Sequence, residues 1–346
     1  MNSIINKAFL RLIEHEVYCG RDESLRVHGH LTKIMGQVHQ IADTVEDLPK
    51  LKKNHWVVVC DYGMNTHISP IKSIEVVLCM GWLNEELHYN SDNYKVRAGD
   101  QSGRFVGMRD QKKWLSSTAM NEKLAGYLRT LDNAKNVAAD GNGGVTFREK
   151  GYLWIYNFRL GFFLEGKTQE DVLYLVPNGK NHWHPIQPLQ VAARLKQLNK
   201  YHGSFMIDLI RSLKYWCREQ LLPKIPNDLL EAIVFKFCRS KVSPLTELSV
   251  LDVSGVLQAI HKQILTECID PIASRGDLNS LSEADRNTIS TRAFSSFLKA
   301  DSALYFEKMG REERAIDKWS EVFGIELKKY WRQSQKPRHR HSEQVG

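Results

Sequence analysis

Two acidic side chains, Asp61 and Glu75, lie next to or within apolar runs, and carboxylate oxygens are the kind of hard ligand that Mg²⁺ prefers. Asp61 follows the apolar run HWVVVC, and Glu75 lies within a second apolar run, IKSIEVVLCM. Asp61 also fits the ordinary role of a turn residue whose carboxylate accepts backbone N–H groups. The residues alone leave both interpretations of Asp61 open.

Histidine and cysteine offer no comparable cluster along the sequence. The six cysteines lie far apart, and none forms a CxxC pair. His182 and His184 flank Trp183 without a cysteine or third histidine nearby, whereas structural zinc sites take four such ligands. We therefore expect reduced, mostly buried thiols and no zinc site.

Runs of β-branched and aromatic residues predict the strands that position these side chains. Strands are predicted at residues 55–63, 71–80, 145–149, 151–165 and 171–177. Helical spacing of apolar residues predicts helices at residues 3–17, 23–45 and 112–131. The polar, glycine-bearing stretch 83–107 is predicted to be a loop or an insertion.

From Pro188 onward helical periodicity dominates, and Asp228 and Ser282 are predicted N-caps. We therefore divide the chain into a mixed α/β lobe with N-terminal helices, an all-helical lobe and a disordered basic tail. The predicted bounds of these parts are 1–185, 186–332 and 333–346.

Composition and charge indicate a soluble globular protein. Hydrophobic residues make up 42% of the 346 residues, and the formal net charge is +8. This mild positive charge permits a polyanionic partner but equally fits an ordinary basic surface. No apolar run approaches the roughly 20 residues that cross a bilayer, and the N-terminus lacks a signal peptide. We expect a cytoplasmic protein without a membrane partner.

Several motifs share an order and spacing that single motifs do not specify. They are SLKYWCRE (212–219) preceded by Arg211, LLEAIVF (229–235), LVPNGKNHWHPIQP (175–188), DPI (270–272) and KADSALYFEKMGREERAIDKWSEVFG (299–324). Together they resemble the cyclic GMP-AMP synthase and oligoadenylate synthetase type of nucleotidyltransferase, which includes the bacterial CD-NTases. The resemblance places Lys214, Trp216 and Glu231 at positions of the family pattern.

This resemblance implies an α+β fold: a polymerase-beta-like nucleotidyltransferase lobe with a mixed sheet, then an all-helical lobe, with a cleft between. Active members hold the triphosphate on a Gly-Ser turn, followed by a threonine. Gly63, Met64 and Thr66 are the best matches to those positions. With Lys214, which corresponds to a phosphate-contacting lysine, they are the predicted nucleotide-binding residues.

Active members also carry Asp-x-Asp and a third Asp, which hold two Mg²⁺ ions. Here Ser73 and Glu75 take the Asp-x-Asp positions, and Arg159 is nearest to the third. The protein charge at the site is then about zero, and each unfavourable charge pair at about 4 Å costs roughly 4 kcal/mol. The residues therefore predict a degenerate catalytic site, with Glu75 paired to Arg159 across adjacent strands as a further interpretation.

Three functions follow as hypotheses. The first is a catalytically degenerate regulator or sensor in antiviral, CBASS-like nucleotide signalling, which binds a nucleotide, an oligonucleotide or a defence-system protein and needs no cofactor. The second is an active nucleotidyltransferase that makes a second messenger, with Mg²⁺ held by Asp61 and Glu75. The third is a nucleic-acid-binding module, whose candidate segment is 89–105 with Lys95, Arg97 and Arg104 among aromatic residues. That segment equally fits a solvated loop.

Overall fold

The computed structural model describes residues 3–52, 55–82, 87–91, 94–98, 103–140, 143–164, 168, 171–179, 181–270 and 276–335. The chain forms two compact units. One, the sheet unit, is Cys19–Lys196, and the other, the helical unit, combines Met1–Tyr18 with Gln197–Gly346. In the part of the chain described, no helix is long and apolar enough to span a membrane.

The N-terminal helix belongs to the helical unit, which differs from the expected 1–185 lobe. Its residue Asn6 donates to the carbonyl of Leu248 at 3.3 Å and accepts from the N–H of Val250 at 3.2 Å. Phe9 packs on Phe323 with ring centroids 5.1 Å apart. These long-range contacts explain the difference, because helical spacing shows that a segment is amphipathic but not which core receives its apolar face.

The sheet unit contains a seven-stranded mixed sheet with the order β1-β2-β7-β6-β5, in which β8 pairs with β7 and β9. Only β2 and β7 pair in parallel; the other described pairs of this sheet are antiparallel. The strands are β1 Trp56–Val59, β2 Ser73–Trp82, β5 Ala134–Ala139, β6 Val145–Glu149, β7 Ile155–Leu164, β8 Leu173–Pro177 and β9 Trp183–Ile186.

Alternation along β2 decides which side of the sheet carries the candidate site. Ile74, Val76 and Leu78 enter the main core with α2 (Arg21–Thr44) and α4 (Ser117–Arg129). Val77 and Cys79 face the other side and join a smaller apolar cluster with Val57 and Val59. Glu75 has the same parity as Val77, so it lies on the side away from the main core.

The prediction of a loop over residues 83–107 is wrong for part of that range. It contains an antiparallel hairpin of β3 (Leu87–Asn90) and β4 (Lys95–Ala98), followed by a 3₁₀ turn at Gly103–Met108. The strands escaped prediction because each has four residues with few apolar ones, such as the buried Val96 and Ala98 in β4. Predicted helix 112–131 begins later, at Ser117, because Lys113 and Leu115 exchange backbone hydrogen bonds with β4.

Among the described residues, the helical unit contains α1 and seven further elements. These are α1 Ile4–Leu12, a π-helical turn Ile13–Val17, α6 Phe205–Glu219, α7 Asn227–Ser240, α8 Val250–Gln263, α9 Glu283–Lys308, α10 Glu312–Phe323 and α11 Glu326–Gln335. Helix α5 (Pro188–Tyr201) crosses the boundary between the units. The expected boundary at residue 185 falls inside β9 instead.

Helix ends test the predicted caps. Ser282 caps α9 by accepting the N–H of Asp285 at 3.1 Å, as predicted. The N-cap assigned to Asp228 is wrong, because α7 begins at Asn227 and Asp228 already lies in its first turn. Residues 333–335 belong to α11, whereas the rest of the predicted tail, 336–346, and residues 271–272 of the DPI motif lie outside the described residues.

Candidate functional site

The parallel register of β2 and β7 brings Glu75 and Arg159 together. Glu75 lies opposite Asn157, and Val77 lies opposite Arg159. Arg159 Nη2 is 3.4 Å from Glu75 Oε2, with the two side chains 30% and 24% exposed. The predicted cross-strand pair is therefore present. A partly exposed ion pair adds only about 0–1 kcal/mol to stability, so its main effect at this site is on local charge.

Cys60 lies beside this ion pair, and Asp61 follows Cys60 in the chain. Strand β1 ends at Val59, and the helical turn α3 (Cys60–Gly63) follows at once. Cys60 is an exposed residue, and partial desolvation of its thiol by neighbouring protein atoms raises its pKa. A hydrogen bond to Glu75 and the Asp61 charge also raise this pKa, whereas Arg159 lowers it. We call Cys60, Asp61, Glu75 and Arg159 the strand-end cluster.

Two members of this neighbourhood were not predicted. Cys60 is a residue type absent from the family pattern, so no motif pointed to it. Strand alternation could have predicted Asn157 as a neighbour of the site, because this residue stands two positions before Arg159 and shares its face of the strand. Asn157 presents a neutral amide directly opposite Glu75.

Gly63 has a packing role in this turn. A Cβ at this residue would lie 2.2 Å from the carbonyl oxygen of Val58, a separation that only glycine tolerates. Met64 donates its N–H to the Cys60 carbonyl at 2.8 Å, so this backbone donor is already hydrogen-bonded within the turn. Binding of a nucleotide by Gly63 or Met64 remains a prediction.

Two residues of this segment have left-handed backbone, Cys60 with φ +55° and Asn65 with φ +56°. Left-handed backbone is the conformation that favours glycine. Gly63 and Met64, the predicted matches to the Gly-Ser turn, lie between these two residues. The sequence predicted Gly63 for the glycine position of that turn because it is the glycine nearest to Thr66. Thr66 is fully buried and donates its N–H to the Asp61 carbonyl at 2.9 Å.

The start of β2 is tied to the N-terminus of α2. Glu23 accepts hydrogen bonds from Ser69 Oγ at 3.0 Å and from the N–H of Ile71 at 2.9 Å. Ser73, the first residue of β2, is exposed and lies opposite Ile155. Its hydroxyl is a weaker Mg²⁺ ligand than the carboxylate that the family pattern has at this position.

The donor set around Glu75 does not fit a pair of magnesium ions. Glu75 shares its carboxylate with Arg159, while Ser73 and Asn157 are neutral. Among the described residues, no three His, Cys, Asp or Glu side chains are arranged to hold a metal ion. A guanidinium within the site adds repulsion to the missing negative charge.

Lys214 lies on α6 in the helical unit, where its ammonium is paired. Its Nζ is 3.0 Å from Glu231 Oε1 on α7, and the two side chains are 8% and 11% exposed. Trp216, two residues on, is fully buried and donates to Ser296 Oγ at 3.1 Å. These contacts give the motif a structural role, and a contact between Lys214 and a phosphate stays a prediction.

No family model matches the chain. A probable cyclic nucleotide synthase of Bacillus cereus strain VD146 is 22% identical over 326 residues, which are 93% of this chain and 97% of that protein. The solved structure of Escherichia coli MS115-1 CdnC with ATP covers 94% of this chain and 99% of its own, with 13% identity and a TM-score of 0.65. CdnC is also solved in complex with HORMA-deltaN.

The dinucleotide cyclase DncV of Vibrio cholerae, solved with GTP, gives a TM-score of 0.68 at 9% identity. That match covers 93% of this chain and 96% of DncV. Likeness over nearly the whole length of each chain confirms the mixed sheet followed by helices that the motifs implied. The chain has the CD-NTase-like nucleotidyltransferase fold.

Proposed function

We propose that this chain is a catalytically degenerate nucleotidyltransferase-fold protein of nucleotide signalling, which binds a nucleotide or oligonucleotide without transferring it. The observation that carries this proposal is the ion pair between Arg159 and Glu75. By the resemblance, these strands carry metal-binding carboxylates in active members. Here a guanidinium stands beside the one carboxylate retained at these positions.

The same arrangement favours an anionic ligand. Arg159 keeps 30% of its side chain exposed, and a guanidinium binds phosphate oxygens in a bidentate geometry. Glu75 already pairs with the Arg159 guanidinium, so a bound phosphate has to compete with the Glu75 carboxylate for it. We therefore expect binding that does not require a divalent cation.

Likeness to CdnC supports the setting and the partner that we propose. CdnC is solved with ATP and in complex with HORMA-deltaN. We accordingly place this chain in the cytoplasm, as a regulatory or sensor component of antiviral nucleotide signalling that pairs with another protein of the same defence system.

An active nucleotidyltransferase is the second candidate. It is favoured by the similarity to a probable cyclic nucleotide synthase over 97% of that protein. In this case Asp61 and Glu75 would hold Mg²⁺, and the metal would polarise the phosphate. Such an enzyme would have to separate Glu75 from Arg159.

Two measurements separate the candidates. A fluorescent ATP analogue is titrated in EDTA and again in MgCl₂, and labelled nucleoside triphosphates are incubated with Mg²⁺ or Mn²⁺. We expect equal binding in both buffers and no product. Arg159→Met should weaken binding about 10-fold, roughly the value of one charge-assisted phosphate contact. Arg26→Met, an exposed arginine on α2, serves as control.

Product that disappears in Glu75→Gln would reject the degenerate site and establish the active enzyme. Absence of binding in both buffers would reject nucleotide recognition by the chain alone.

A further inference from the structure

A short ladder outside the main sheet aligns an imidazole, a guanidinium and an indole. His88 on β3 lies opposite Arg97 on β4. An isolated antiparallel bridge places Trp114 opposite Arg97 on its other side. Directly paired residues project to the same face, and neighbouring strands are about 4.8 Å apart. The three side chains therefore form a row about 10 Å wide, which we call the outer row.

The outer row faces away from the core. Val96 and Ala98, which flank Arg97, are fully buried, and Leu115 beside Trp114 is 1% exposed. Because side chains alternate along a strand, Arg97 and Trp114 project to the opposite side. His88 and Arg97 are exposed, and Trp114 is partly exposed.

Further cations and one ring surround the row. Lys95 shares the outward parity of Arg97, and Lys112 is exposed in the turn before Trp114. Tyr94, at the hairpin, is 53% exposed. Asp110 is an acidic neighbour, but its Oδ1 accepts the N–H groups of Lys112 and Trp114 at 2.8 and 2.9 Å. Within the ranges that the structure describes, neither Arg97 nor Lys112 forms an ion pair.

We propose that the outer row binds single-stranded nucleic acid. Unpaired bases stack on flat side chains, and the phosphates between them need cations at similar intervals. The row supplies rings on both sides of Arg97 and lies on a sheet face, with Lys95 and Lys112 nearby for the backbone. It carries no aliphatic side chain, so its chemistry fits nucleotide bases better than a lipid surface.

The residues of this surface are separate from the strand-end cluster, so the inference stands without the proposed function. It gives a structural basis to the hypothesis that segment 89–105 binds nucleic acid, since Arg97 of that segment is the centre of the outer row. Arg104 does not enter this argument, because its side chain lies outside the described residues.

The test is fluorescence anisotropy of the full chain with 5′-fluorescein-labelled 12-mers of oligo(U) and oligo(dT). Three phosphate contacts predict a slope of about −2 in a plot of the logarithm of the association constant against the logarithm of the salt concentration. Raising the salt concentration from about 50 to 150 mM should therefore weaken binding about 10-fold. Arg97→Glu should weaken binding about 10-fold or more, and Trp114→Leu about 5-fold or more through lost stacking.

Arg26→Glu on α2 makes the same charge change at an exposed position outside the row and should weaken binding less than 2-fold. Lys112→Glu, on an exposed turn, replaces Arg97→Glu if circular dichroism shows that the latter is unfolded. Equal losses in Arg26→Glu and Arg97→Glu, salt-independent binding, or no binding of either oligonucleotide would overturn the proposal. Binding of phosphatidylserine vesicles without oligonucleotide binding would also overturn it, in favour of a lipid surface.

Discussion

The buried pair of Lys214 and Glu231 gives a direct test of whether the motif lysine acts in structure. We consider Lys214→Met, which removes the charge and keeps most of the volume. At the observed separation of 3.0 Å, the attraction is about 5–6 kcal/mol with an effective dielectric constant near 20. Desolvation of both groups offsets much of this gain. Loss of one partner nevertheless leaves Glu231 buried and uncompensated, which costs roughly 3–5 kcal/mol.

The assay is urea unfolding followed by far-ultraviolet circular dichroism, for four proteins of a double-mutant cycle. These are the wild type, Lys214→Met, Glu231→Met and the double variant. Each single variant should lose roughly 3–5 kcal/mol, and the double variant should recover most of it, since apolar replacement of a whole buried pair is often neutral. Lys262→Met, an exposed lysine on α8, should change stability by less than about 0.5 kcal/mol.

Additive losses in the double variant would refute the reasoning, because they would show that the two charges do not depend on each other. The cycle also bears on nucleotide binding. If Lys214 contacts a phosphate, the double variant should regain stability but not affinity for the fluorescent ATP analogue. Recovery of both would limit Lys214 to a structural role.

Two further predictions concern the sheet unit. Gly63→Ala should lose about 1–3 kcal/mol of stability from steric overlap with the Val58 carbonyl. Gly126→Ala within α4, where a Cβ meets nothing within 4 Å, should instead gain about 0.5–1 kcal/mol. Equal shifts of the melting temperature in the two variants would contradict this prediction. Burial raises the pKa of Glu149, but three hydrogen-bonding side chains lower it to a net value below 4.5: Asn133, His30 and Lys33. A lowered folded-state pKa means that the Glu149 contribution is present above pH 4.5 and is lost as the pH falls further. As the pH is lowered below 4.5, the melting temperature of the wild type should therefore fall more steeply than that of Glu149→Gln. Parallel curves for the two proteins would show that this carboxylate does not contribute to the pH dependence.

Local pattern was sufficient for the regular elements with long apolar runs. β-branched residues predicted β1 and β2, and helical spacing predicted α1, α2 and the helices after Pro188. The motifs around Lys214 and Trp216 then indicated the fold, which the solved structures of CdnC and DncV confirm. Period and residue type are properties of neighbours in sequence, so these conclusions did not depend on tertiary contacts.

The pairing of distant elements was decided only by the tertiary structure. Arg159 meets Glu75 because β2 pairs with β7 in one parallel register, and a shift of one residue would turn Arg159 to the other face. The left-handed turn at Cys60 and the row of His88, Arg97 and Trp114 likewise arise from backbone geometry and cross-strand pairing. Sequence period determines which residues share a face of a strand. The register between strands, which long-range hydrogen bonding and core packing select together, determines which residues meet.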